Sequence, residues 1–382
     1  MNRTPMPASP LGSRQEGRAR WGFAAAAALA LSGIGSSGWA ADPLGKFAVD
    51  DRQVSVAGIS SGAFMANQLH IAHSAGIVGA SLIAGGLYGC AVDSVGSDGV
   101  EGLASLAAGR CMSAPGSLKP VEHYAEMVSD FAVRGWIDPP GNFARSHVYL
   151  FTGKADSVVA PRTVELAAEL YSALGVPPAE IERHDQDYNA GHSWVTAGFG
   201  SECSVNAAPF INKCGYDQSG DLLQRMYGQL QPPATGLQGR FVAFDQTEFV
   251  PGRAAIANGL LDTGHLYVPQ ACEAGAPQTC RLAVVLHGCL QSTEKLGAEF
   301  YKKIGVNEWA DTNRIVVLYP QAHATELWEL ARHDALSAFN VNPAGCWNWW
   351  GYAYDRQFPT KQGVQVGALW SMVQRITGKG NN

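Results

Sequence analysis

The chain has 382 residues, a hydrophobic share of 46% and only 16% charged side chains, enough apolar material for one large domain or two medium ones. Its net charge of −6 is dispersed rather than gathered in runs, which excludes the basic face that nucleic-acid binding requires. The 44 glycines and 20 prolines are scattered through the sequence, a pattern of many tight loops with no long disordered segment indicated.

At the N-terminus, Arg14, Arg18 and Arg20 precede an apolar run from Trp21 to Leu31, followed by small residues up to Gly38-Trp39-Ala40. The run is too short to span a bilayer and has the form of a secretory signal, so residues 1–40 are expected to be removed after Ala40. No later segment is apolar enough to cross a membrane, and the mature protein is expected outside the cytoplasm, extracellular or periplasmic. Eight cysteines agree with that: Cys90, Cys111, Cys203, Cys214, Cys272, Cys280, Cys289 and Cys346 are an even number suited to disulfides. None forms a CxxC pair, so no metal or redox site is expected. The neighbour pairing, Cys90–Cys111, Cys203–Cys214, Cys272–Cys280 and Cys289–Cys346, is the expectation among the many that are possible.

The first buried strand, around Val54, runs into Gly58-Ile59-Ser60-Ser61-Gly62 and then a small, apolar run with helical spacing. Strand, Gly-x-Ser-x-Gly and helix together form a nucleophile elbow, which lifts one serine above a sheet edge. Gly58 and Gly62 crowd the turn and must lack side chains. Ser60 would sit in a strained backbone, and the Ser61 N–H at the helix start becomes a donor for an oxyanion.

A second buried strand is expected over residues 80–86, a Gly-, Ser- and Cys-rich excursion over 90–120, and a helix over 121–133. A strand over 147–153 ends in Lys154-Ala155-Asp156, and a helix over 161–174 has proline in its first turn. A weaker strand over 181–184 precedes Tyr188-Asn189-Ala190-Gly191-His192. Strands alternating with helices indicate an α/β fold with a mostly parallel sheet and helices on both faces. In such sheets functional groups lie beyond the carboxyl ends of strands, where Asp156 and His192 fall. The chain order Ser60, Asp156, His192 is that of an α/β-hydrolase triad. Asp138, Asp185 and Asp187 remain alternative acids, and His184 an alternative base.

Further on come a helical stretch over 221–230 and a possible linker at Pro232-Pro233. A strand over 281–289 then ends in His287-Gly288-Cys289, another runs over 314–320, and an amphipathic helix over 363–376 closes the chain. In ordinary α/β-hydrolases the strand ending in His-Gly precedes the nucleophile and supplies the second oxyanion donor. Here it follows, which fits a circular permutation in which the last helix leads back into the Val54 strand. Cys289 then donates alongside Ser61, and Cys289–Cys346 would fix this loop against the tryptophan-rich segment.

Gly-Ile-Ser-Ser-Gly-Ala-Phe-Met-Ala near the start, Asn-Ala-Gly-His-Ser-Trp after Asp156, and Leu-His-Gly-Cys with Cys-Trp-Asn-Trp-Trp-Gly near the end resemble the extracellular poly(3-hydroxybutyrate) depolymerases with a permuted α/β-hydrolase fold. The resemblance covers most of residues 47–378. It implies a secreted carboxylesterase cleaving short-chain polyhydroxyalkanoates through an acyl-serine, with Ser60, Asp156 and His192 as triad and Ser61 and Cys289 as oxyanion donors. Many members carry a further linker and a polymer-binding domain; residues 41–382 are expected to be a single catalytic domain like the single-domain members.

An uncharged polyester calls for an apolar groove. Trp347, Trp349 and Trp350, with Tyr352 behind them, supply candidates, and substrate contact is expected at Trp347 or Trp350 because an extended segment cannot turn all three rings to one core. Acyl transfer requires no metal or organic cofactor. A monomer is expected. A secreted feruloyl-type or other carboxylesterase would share fold and triad, and an exported binding protein on a degenerate hydrolase scaffold is the non-enzymatic alternative.

Overall fold

The strands of this chain are rich in valine, leucine and isoleucine at both odd and even positions, which makes them strands to be covered on two faces. The computed structural model describes residues 41–92, 108–252, 254–273, 278–326, 329, 342–352 and 355–379; the expected signal segment lies outside them. In chain order the elements are β1 (Val49–Ile59), α1 (Ser61–Ala72), β2 (Gly79–Ile83), α2 (Val121–Val133), β3 (His147–Thr152), α3 (Pro161–Ala173) and β4 (Ile181–Asp185). Then follow β5 (Trp194–Thr196), β6 (Ser201–Glu202), β7 (Ile211–Lys213), α4 (Gln218–Tyr227), β8 (Arg240–Asp245), β9 (Thr263–Val268), β10 (Cys280–Leu286), α5 (Val306–Asn313), β11 (Ile315–Tyr319) and α6 (Val364–Thr377).

Eight strands form one sheet in the order β4-β3-β2-β1-β10-β11-β9-β8, and β5, β7 and β6 form a small second one. From β4 to β11 neighbours run parallel, while β9 is antiparallel to β11 and β8 to β9. The edge hairpin β8–β9 is absent from the sequence expectations. Its strands carry exposed Arg240 and half-buried Thr263 and His265 in place of a continuous apolar run. Strands of two or three residues, as in the small sheet, are too short to show a period.

The two-residue period sorts the core into two clusters. Val54, Val56, Leu82, Val148, Leu150, Val284 and Leu318 pack with α1, α2, α3 and α6, whereas Ala57, Ile59, Phe151, Val285 and Val317 pack with α4 and α5. Helices therefore cover both faces.

The chain closes on itself where a permuted fold must. Phe47 donates its amide to the Ile376 carbonyl (3.0 Å), Arg375 donates to the Leu44 carbonyl (3.4 Å), and Lys379 pairs with Asp51. The end of α6 thus lies against the start of β1, in the position of a helix-to-strand connection. Residues 40–382 form one compact unit. The linker expected at Pro232-Pro233 is corrected. Ala234 donates to the Glu308 carbonyl (2.8 Å), Thr312 to the Pro232 carbonyl (2.8 Å) and Gln231 to Asn313 (2.7 Å), so this segment is pinned to α5 inside the domain.

All eight described cysteines are paired, as Cys90–Cys111, Cys203–Cys214, Cys272–Cys280 and Cys289–Cys346. Two buried histidines add a pH dependence. His70 bonds Tyr171 (2.9 Å) and Ser146 (3.1 Å), and burial pushes it down to about 3; burial likewise takes His287 to about 4. Between those values and the unfolded value near 6.5, the unfolded chain binds protons that the folded one refuses. Stability is therefore lost as pH falls through that window, by about 1.4 kcal/mol per pH unit for each such histidine. His323 works in the opposite sense: burial lowers it, but Glu294 and Glu329 more than offset that. We expect a lower urea midpoint at pH 5 than at pH 7 by circular dichroism; equal midpoints would contradict the burial of these rings.

Candidate active site

The elbow follows from steric exclusion. Ser60 follows β1 and is the N-cap of α1, with φ 55° and ψ −123°, a left-handed backbone that a serine adopts only under constraint. The constraint is visible. Ser60 donates its amide to the Ile83 carbonyl of β2 (2.9 Å), and its own carbonyl accepts from Ala63 (2.9 Å) and Phe64 (3.1 Å). A Cβ on Gly58 would collide with the Gly62 carbonyl, and one on Gly62 with the carbonyls of Leu286 and His287 at the end of β10. The absent side chains let the N-terminus of α1 press against two strand ends at once.

Asp156 lies four residues past β3 and His192 in the loop after β4. His192 Nδ1 bonds Asp156 Oδ2 at 2.9 Å, with the two side chains 6% and 1% exposed. The other carboxylate oxygen accepts from the amides of Val158 (2.8 Å) and Val159 (2.9 Å), so three hydrogen bonds hold the Asp156 carboxylate and it cannot swing away. Gly153 is required here because a Cβ would strike the Ala190 carbonyl of the histidine loop. The rival groups are engaged elsewhere: Asp138 with Lys361 (2.5 Å), Asp185 with Arg183 (2.5 Å), and His184 with Glu182 (3.0 Å) and Asp187 (3.1 Å).

The loop after β10 completes the site. Ala322 donates its amide to His287 Nε2 (3.0 Å), so the proton is on Nδ1, which donates to the Gly288 carbonyl (2.7 Å). Burial keeps this imidazole neutral, as that pattern requires. With the Gly288 carbonyl held, the trans peptide directs the Cys289 amide the opposite way. Gly288 also lies against Ser60, since a Cβ built on it would sit 3.2 Å from the serine Cβ. Neither the Ser61 nor the Cys289 amide has an acceptor among the described residues. Gln291, buried, accepts from the Gly288 amide (2.7 Å) and donates to the carbonyls of Pro209 (2.9 Å) and Phe210 (3.2 Å). The Phe210 ring packs edge-on against His192 at 6.1 Å, which ties the loop after β10 to the histidine loop. Sequence reasoning missed Gln291: its three partners come from residues 209, 210 and 288, and no local pattern marks it.

The tryptophans divide differently from expectation. Trp347 is fully buried and donates its indole N–H to the His287 carbonyl (2.9 Å), and Trp349 stacks on Phe64 at 4.1 Å. Of the two expected substrate contacts, Trp347 and Trp350, Trp347 is a core residue, and Trp349 also belongs to the core; both brace the elbow and the end of β10. Trp350 is half-buried, against Trp349 and Tyr352. Among the described residues, Glu182, His184 and Asp221 are close enough to share a metal, but Arg225 and Asp187 already occupy two of them.

A permuted eight-stranded sheet, an elbow serine and a buried Asp–His pair define the α/β-hydrolase class. No family model matches the chain. It is 39% identical over 357 residues to a poly(3-hydroxybutyrate) depolymerase of Delftia acidovorans, covering 93% of this chain and 65% of that protein. It is 34% identical over 372 residues to a polyhydroxybutyrate depolymerase of Talaromyces funiculosus, covering 91% of this chain and 96% of that protein. Two solved structures cover 89% of this chain and 100% of their own at 31% identity. One, with a TM-score of 0.73, is a serine-to-alanine variant of a PHB depolymerase complexed with an R3HB trimer; the other, at 0.72, is the PHB depolymerase of Penicillium funiculosum. The chain belongs to the poly(3-hydroxybutyrate) depolymerase family.

Gly62→Ala tests the elbow. Its methyl group meets two backbone carbonyls that cannot rotate away, so we expect a loss of at least 100-fold (~2 decades) in turnover of a soluble butyrate ester. Wild-type turnover in a folded Gly62→Ala protein would show that the close approach is dispensable.

Proposed function

We propose that this chain is an exported serine esterase that hydrolyses poly(3-hydroxybutyrate) or related short-chain polyhydroxyalkanoates through an acyl-serine intermediate. The observation that carries the reading is the buried Asp156–His192 pair at 2.9 Å, in a site that also holds an elbow serine and two amides without an acceptor among the described residues. Ser60 Oγ attacks the ester carbonyl as His192 accepts its proton through Nε2. Asp156 holds the other ring nitrogen in the Nδ1–H tautomer and stabilises the imidazolium. The oxyanion is bound by the amides of Ser61 and Cys289, which need no reorganisation as charge develops. His192 then protonates the departing 3-hydroxyl, and water repeats the cycle to release the acid.

The substrate class is supported by the relatives' names and by the R3HB trimer bound to the neighbouring structure. Export is supported by four disulfides and by the Arg-led apolar segment before Ala40. No helix among the described residues is long and apolar enough to cross a membrane. Trp350 supplies the apolar contact that a polyester chain needs.

Wild-type protein should clear a turbid polyhydroxybutyrate suspension and release 3-hydroxybutyrate or its oligomers, identified by mass. Ser60→Ala should abolish both, and persistent clearing by Ser60→Ala would remove the serine mechanism. Trp350→Ala should weaken adsorption to solid polymer while sparing a small soluble ester; equal losses on both would refute its role in polymer contact.

A further inference from the structure

Asp156 and His192 belong to different strand ends, and a 2.9 Å bond between them survives only if both loops are held in common. One side chain holds both. Asn206 Oδ1 accepts from the His192 amide (2.8 Å) and the Ser157 amide (3.1 Å), while its Nδ2 donates to the carbonyls of Ala155 (2.8 Å) and Ser204 (3.2 Å). The amide therefore grips the residues on either side of Asp156 and the backbone of His192 itself. Its two acceptor and two donor positions are all used, and with two N–H groups on one side and two carbonyls on the other, only one orientation satisfies them.

Asn206 is itself braced. It lies inside the loop closed by Cys203–Cys214, where Asn212 Nδ2 donates to the carbonyls of Cys203 and Val205, both at 2.8 Å. The Gly191 amide donates to the Cys203 carbonyl at 2.8 Å, and a Cβ on Gly191 would strike the Val205 carbonyl, so this loop packs flush against the residue preceding His192. Crosslink, buried asparagine and glycine contact converge on one amide.

We propose that Asn206 is a positioning residue for the acyl-transfer reaction, setting the separation of Asp156 and His192 from a third loop. The proposal rests on the reading of Ser60, Asp156 and His192 given above. Asn206 touches no reacting atom. The amides of Lys154 and Ala155 also donate to the Tyr188 and Ala190 carbonyls, both at 2.9 Å, so the two loops stay joined without it. Its removal loosens the backbone at Asp156 and His192 within that frame, and a displacement of about 1 Å at a reacting group can cost on the order of 100-fold.

The test is Asn206→Ala, assayed on a soluble 3-hydroxybutyrate oligomer and normalised to Ser60 labelled by a fluorophosphonate. We expect kcat to fall about 10- to 100-fold with KM within about twofold, since substrate binding is untouched. The far-downfield proton resonance of His192 Nδ1–H should broaden or vanish. A purely structural role would reduce the labelled fraction and leave kcat per labelled site unchanged. Wild-type kcat per site with the resonance intact overturns the proposal. Should Asn206→Ala not fold, Asn206→Asp decides: it is isosteric and keeps both acceptor bonds, but sets a carboxylate oxygen against the two carbonyls that Nδ2 served, so a loss of kcat and a shifted resonance are expected. Wild-type values in that variant overturn the proposal too. Ser60→Ala run in parallel separates the two claims: activity there defeats the triad reading, whereas an inactive Ser60→Ala beside a wild-type Asn206→Ala defeats only the clamp.

Discussion

The structure depends on a close approach of backbone to backbone. The first turn of α1 is wedged between the end of β1, from which it springs, and the end of β10 beside it, and Gly58 and Gly62 make that possible. A left-handed serine costs on the order of 1–3 kcal/mol, which persists only where the surroundings over-determine it. Here they do: β2 takes the Ser60 amide, α1 takes its carbonyl, and every residue of α1 is buried. The same wedge brings the positive end of the α1 dipole, the Ser60 side chain and the β10 loop to one point. The elbow serine and the unengaged amides beside it are products of a single packing event.

That event is indifferent to where the chain begins. The sheet needs β1 between β2 and β10, and α6 behind β1, and it has both although β10 and α6 come last in the chain. The hydrogen bond from Phe47 to Ile376 marks where a helix-to-strand connection would run in an unpermuted fold. A break in that connection is tolerated because residues 44–47 and 375–379 meet beside the sheet, and leaving them unjoined keeps every packed face in place.

Around the reacting centre the supports are mostly neutral. His287 is held uncharged by burial and serves as a strut between Ala322 and Gly288; Gln291 and the Trp347 indole add further uncharged hydrogen bonds. Neutral dipoles can be buried at modest cost when every donor and acceptor is matched, whereas additional charges would compete with the Asp156–His192 pair and with an oxyanion. An uncharged polyester suits such surroundings.

The sequence by itself determined the elements whose chemistry is local. Gly58, Ser60 and Gly62 spell their own turn, apolar runs of five to seven residues such as Ile315–Tyr319 can only be buried strands, and Asp156 and His192 sit where strands end. It also pointed to the permutation, because a His-Gly strand end appears after the serine rather than before it. Strand-end placement and chain order favoured Asp156 and His192 but left Asp138, Asp187 and His184 as alternatives, since each sits near a plausible turn; in the structure Lys361 pairs with Asp138, and Glu182 and Asp187 with His184, while Asp156 and His192 meet each other. Nor could it tell which tryptophan faces outward, because Trp347 is drawn inside by a carbonyl sixty residues earlier in the chain. Tertiary structure decided whatever depends on partners distant in sequence, for a hydrogen bond or a buried ring is specified by two places in the chain, and a sequence displays only one of them at a time.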